Sequence, residues 1–146
     1  MDVAKARELA RDVTRPCGLL GYLVGRGAWW PADGSLQRCK LAVGQVMGST
    51  YVFLGPIWRM HPSLDPGQAP DALGPADQGT SLEDKPEDLR SLLNDLEGAV
   101  SRALPVLEEQ LPSARHHFRR EAAAVLDSIQ AARQVVARLP PRDEIL

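Results

Sequence analysis

Phe118, Ala122, Val125, Ile129, Ala132, Val136 and Leu139 follow one another at alternating steps of four and three residues and run up against Pro140 and Pro141. Residues so spaced share one side of an α-helix, and such a seam is stable only when other helices cover it. Upstream, Leu89, Leu93, Leu96, Val100, Leu104, Leu107 and Leu111 repeat the pattern. They predict a second helix from Pro86 to about Gln110, with Pro86 at N1, where a missing N–H costs nothing, and a kink at Pro105. The Leu111-Pro112-Ser113 turn between the two is short enough to force an antiparallel hairpin.

Two further helices are expected to close the hairpin. Val3, Ala6, Leu9, Ala10 and Val13 give an amphipathic stripe from Asp2 to about Arg15, with Asp2 suited to the positive end of the helix dipole. Pro16 and Gly18 are read as ending it, so that CGLLGYLVGRG becomes a separate short apolar piece. After a turn at Pro31, Asp33 and Gly34, a helix capped by Asp33 or Ser35 is expected from Leu36 to about Met60, kinked at Pro56 and stopped by His61, Pro62 and Pro66. Residues 62–85 concentrate proline, glycine, aspartate and serine and read as a long irregular loop pinned by Leu64, Leu73 and Leu82. The expectation is an all-α fold: an antiparallel four-helix bundle in a single domain over residues 1–146, with a short extra helix allowed and the long loop between its second and third main helices.

From Leu41 to Trp58 no side chain is charged. That length approaches a membrane span, but Gln45, Ser49, Thr50 and Pro56 interrupt it, and the amphipathic helices on either side need a partner. Burial at the centre of a bundle is therefore expected, with membrane association of residues 41–58 the weaker reading. Gly44, Gly48 and Gly55 form a strip with Ala42 and Ser49 that would let another backbone approach closely. The partner is read as the Gly18, Gly21 and Gly25 segment of the same subunit, ahead of a second copy. Gly48→Leu would then overpack the crossing.

No motif names a reaction. A formal charge of -2 draws in no nucleic acid. Cys17 and Cys39 stand at unrelated spacing with no secretory signal, which fits reduced thiols in a cytoplasmic protein. Arginine outnumbers lysine and alanine is abundant, as in a GC-rich bacterial genome. His61, His116 and His117 fall in no metal-ligand spacing, and no nucleophile elbow or phosphate loop occurs, so neither enzyme chemistry nor a metal or cofactor is expected. Two surfaces stand out. One is the basic helix start with Arg115, His116, Arg119 and Arg120, suited to an acidic partner or a phosphate; the other is aromatic, with Trp29 and Trp30 in a turn and Trp58, Arg59, Met60 and His61 beside the long loop. The reading is a small non-enzymatic bundle that binds another protein or itself as a homodimer, with a small-molecule or enzyme-like pocket near Trp58 and His61 as the alternative.

Overall fold

A computed structural model describes residues 1–25, 34–68 and 86–138. Five helices are present among them: α1 (Val3–Gly25), α2 (Ser35–Phe53), α3 (Gly55–Met60), α4 (Pro86–Gln110) and α5 (Arg115–Ala137). Short 3₁₀ turns lie at Pro62–Leu64 and Pro112–Ala114, and no described residue is in a strand. Helix α1 packs on α2 and α4, and α5 packs on the same two, so the four long helices close a square.

Side-chain contacts fix their directions. Gly21 lies beneath Met47, and Cys17 is hydrogen-bonded to Thr50, so α1 and α2 run in opposite senses. Arg119 pairs with Glu108 and Arg133 with Glu97, which makes α4 and α5 antiparallel. His61 Nε2 donates to the Met1 carbonyl at 3.1 Å, and Phe53 meets Phe118 ring to ring. One end of the bundle therefore collects the start of α1, the end of α2, all of α3, the end of α4 and the start of α5. The all-α antiparallel bundle is the expected one; its short extra helix is α3 and not the CGLLGYLVGRG stretch, which belongs to α1 as far as Gly25.

The seams are where the spacing put them. Phe118, Ala122, Val125, Ile129, Ala132 and Val136 are the buried residues of α5, while Leu139 lies outside the described residues. In α4, Leu89, Leu93, Leu96, Val100 and Leu107 are buried, but Leu104 is half-buried and Ala103 takes the core position beside it. Helix α4 is continuous through Pro105, which is exposed.

Two element boundaries differ from expectation. Helix α1 does not stop at Pro16: it continues to Gly25, because Cys17, Leu20, Leu23 and Val24 prolong the buried stripe of Ala6, Ala10 and Val13 without a change of phase. Burying a Leu or Val side chain is worth about 1.5–3 kcal/mol, so this stripe offsets the ~3 kcal/mol that proline costs inside a helix. At its start Asp2 Oδ1 accepts the Lys5 N–H at 2.8 Å, an N-cap bond.

The helix expected from Leu36 to Met60 is divided at Leu54 into α2 and α3. Pro56 has no N–H to give the Val52 carbonyl, and a new helix starts with that proline in its first turn. Gly34, not Asp33 or Ser35, occupies the N-cap of α2; its φ of 88° is a left-handed conformation that suits glycine. Only one side of α2 is buried, along Cys39, Val43, Val46, Thr50 and Phe53, so the expectation of a helix buried all round does not hold. No described helix is long and apolar enough to cross a membrane. Leu64 is buried, as expected of a residue pinning the loop; Leu73 and Leu82 lie outside the described residues.

Candidate functional site

The break between α2 and α3 leaves carbonyls without helical partners, and side chains supply the donors. His117 Nε2 donates to the Val52 carbonyl at 2.9 Å, taking the place of the N–H that Pro56 lacks. Trp58 Nε1 donates to the Tyr51 carbonyl at 2.9 Å, and the Trp58 and Tyr51 rings stack with centroids 5.7 Å apart. Both bonds tie the end of α2 to the elements around it.

Trp58 is thus buried and satisfied, with 5% of its surface exposed. His61 is half-buried and bonded to Met1, whereas Arg59 and Met60 are exposed. The basic group lies at the same end of the bundle. Arg115, His116 and Arg119 are all exposed, as is Arg120. Glu108, on α4, was not singled out in the sequence: it accepts from Arg119, and this hydrogen bond above all holds its carboxyl below the usual range, Arg115 adding to the effect. Arg120 pairs with Glu121 at 3.1 Å. Two of the three arginines in this group are therefore partly neutralised by pairs on the surface, which contribute little to stability. Trp29 and Trp30 lie outside the described residues.

A polar contact that sequence reasoning missed joins the loop to α2. Asp65 is buried, and its Oδ1 accepts the Tyr51 hydroxyl at 2.7 Å and the Gly67 N–H at 2.8 Å. The bond to Asp65 raises the Tyr51 phenol above its ordinary value, helped by desolvation and by the charge of Asp65. The only forecast of this contact was the Asp65-Pro66-Gly67 sequence, which favours a turn closed by an aspartate side chain. Among the described residues no group of three or more His, Cys, Asp or Glu side chains is placed to hold a metal ion.

The glycine strip is placed otherwise than expected. A Cβ built on Gly44 or on Gly48 would meet nothing within 4 Å, and the same holds for Gly18. Of the upstream glycines with described surroundings, Gly21 alone touches α2, through Met47; Gly55 would reach the His117 ring at an ordinary 3.7 Å. Gly44 and Gly48 therefore do not form a crossing with α1, and Gly48→Leu is not expected to overpack. The sign reverses for a smaller change: Gly44→Ala and Gly48→Ala should each stabilise the fold by about 0.5–1 kcal/mol, the helix-propensity gain of alanine over glycine. Urea unfolding of each variant measures this, and a loss of stability would reveal something seated on the strip.

What the strip does is run down an exposed helix face. Gln37, Leu41, Gly44, Gly48 and Tyr51 follow each other at steps of four and three, a second seam opposite the buried one of Cys39, Val43, Val46, Thr50 and Phe53. Leu41 is 62% exposed, and Met47, Tyr51 and Val52 between 38% and 46%. The face is open at its two glycines, and Met47 beside them rests against Gly21 of α1. Comparison with protein-family models, with curated proteins and with solved structures finds no match for the chain.

Proposed function

We propose that this chain is a non-enzymatic helical protein that works in the cytoplasm by binding protein, and that its contact surface is the outer face of α2. The observation that carries the reading is the exposure of Leu41, Met47, Tyr51 and Val52 on a stretch without a charged side chain. Exposed apolar residues gathered in one patch mark interaction sites, whereas isolated ones do not. The open surroundings of Gly44 and Gly48 add to it, since a helix docked there can approach the α2 backbone closely.

A photo-reactive amino acid at position 41 tests the reading, with one at the exposed Gln130 as the control. Irradiation in the native cell should give protein adducts from position 41 and few from position 130; equal yields, or none from position 41, would overturn it. Self-association is the second form of the same reading, because the face is uncharged and two copies can bury it together in a symmetric dimer. Light scattering over a concentration series decides that form: a mass that stays at one chain to high micromolar concentration excludes it.

A further inference from the structure

The sulfur atoms of the chain belong to Met1, Cys17, Cys39, Met47 and Met60, all of them described residues. Oxidants meet them unequally. Cys17 and Cys39 are buried and free, and burial pushes both thiols up to about 11, so the reactive thiolate is scarce at neutral pH. Met1 is half-buried. Met47 and Met60 are 38% and 44% exposed, and a thioether reacts without first losing a proton. These two differ in what lies beneath them. Met60 is the last residue of α3, which is not one of the four long helices that close the square. Met47 stands between α2 and α1: its Sδ and Cε lie 3.3 and 3.2 Å from the point that a Cβ on Gly21 would occupy, tighter than most real contacts of a Cβ. The missing side chain of Gly21 is what admits the thioether, and Met47 fills the notch. Gly21 lies inside α1, where backbone N–H groups are spent on helix bonds, so the backbone beneath the sulfur has no donor to spare.

We infer that Met47 is an oxidation site whose thioether clasps α2 to α1, and that a peroxide converting it to the sulfoxide opens this clasp. In the reaction the sulfur lone pair attacks one oxygen of hydrogen peroxide. The S–O bond forms as the O–O bond breaks, the proton on the transferred oxygen passes to the departing hydroxide, and water leaves; sulfur gives up two electrons and the peroxide takes them. The product is polar, and its oxygen accepts hydrogen bonds. Over Gly21 that oxygen finds no backbone donor, so the side chain turns out to water and the notch is left empty, with the loss of its contacts between the two helices. An oxygen on Met60 leaves the square as it is, which makes Met60 the internal control. The inference stands whatever the outer face of α2 binds.

Hydrogen peroxide applied to the folded chain at neutral pH, followed by peptide mass spectrometry, should place an oxygen on Met47 and Met60 before either thiol is modified. The oxidised Met60→Leu chain should unfold in urea at a midpoint about 0.5 M below that of the same chain untreated, and methionine sulfoxide reductases of both stereospecificities should restore it. The oxidised Met47→Leu chain, in which Met1 and Met60 still react, should keep its midpoint. Met47→Gln, polar and of similar length, should start from a lowered midpoint without peroxide; circular dichroism confirms that each variant is folded. Thiols modified first, no oxygen on Met47, a midpoint unmoved by oxygen on Met47, an equal fall in the Met47→Leu chain, or a Met47→Gln chain as stable as the natural one would each overturn the inference.

Discussion

Phe118→Ala is expected to cost about 3–5 kcal/mol of stability, the usual range for deleting a buried phenylalanine ring. Phe118 is fully buried, and its ring stands edge-on to Phe53 with centroids 5.8 Å apart and planes at 74°. Phe53 is the last residue of α2 and Phe118 lies in the first turn of α5, so this aromatic pair joins two helix ends. One residue before each of them, Val52 and His117 are joined by the bond that replaces the one forbidden by Pro56. Removing the ring takes away apolar area and leaves a cavity between two helix ends whose relative position the His117–Val52 bond already fixes, so that the cavity cannot collapse freely. Urea denaturation measures the loss, and a value under about 1 kcal/mol would mean that this end of the bundle is loosely packed. Phe53→Ala should be non-additive with it, since contacting residues couple by about 0.5–3 kcal/mol.

The reason that pair could be anticipated only by half lies in what spacing records. The seam from Phe118 to Val136 was legible because every member keeps phase over the length of α5, and only a helix facing other helices explains that. Pro16 misled because punctuation and phase conflict there. Proline argues for an end, while Cys17, Leu20 and Leu23 keep the earlier phase, and burial decides in favour of continuity. In α2 the error had another origin. A run without charge is compatible with burial on every side, and the sequence carries two interleaved seams, one of larger residues that faces the core and one that faces outward. Which seam faces inward depends on what α1 and α5 present, and that is a tertiary fact. The same holds for Gly44 and Gly48, whose spacing marks a surface fit for close approach without saying what approaches. Trp58 was singled out as a ligand-binding candidate because it stands where a helix kinked at Pro56 meets the long loop, but its indole N–H is a donor that needs a partner. Here that partner is the Tyr51 carbonyl, freed when Pro56 ends the helix.

The two thiols should react with a disulfide reagent such as DTNB about a hundredfold more slowly in the native chain than in urea, and the fold should weaken in alkali. Both are buried and free. Burial pushes Cys17 up from 9.0 to about 11, with a hydrogen bond to Thr50 pulling the other way, and burial likewise pushes Cys39 to about 11 against the charge of Arg38. The thiolate is the reacting form, so below pH 9 a rise of that size lowers its population by about a hundredfold, before any cost of opening the core. They cannot shield each other as a disulfide either. Cys17 sits level with Thr50, and Cys39 lies eleven residues before Thr50 on α2, about 16 Å along the helix axis, whereas a disulfide needs Cα atoms within about 7 Å. The linkage has a definite sign. Between pH 9 and 11 the unfolded chain has lost the thiol protons that the folded chain still holds, so stability falls with rising pH, by up to about 1.4 kcal/mol per unit for Cys17. The Tyr51 phenol, also raised, acts in the same direction from about pH 10, its ordinary value, upward. Chemical unfolding at pH 7, 9 and 10.5, with Cys17→Ala alongside, isolates the contribution: the variant starts less stable but loses less as pH rises. Equal pH dependence in the two proteins, or complete modification of native thiols within the time the unfolded chain takes, would show that Cys17 is not held in the core.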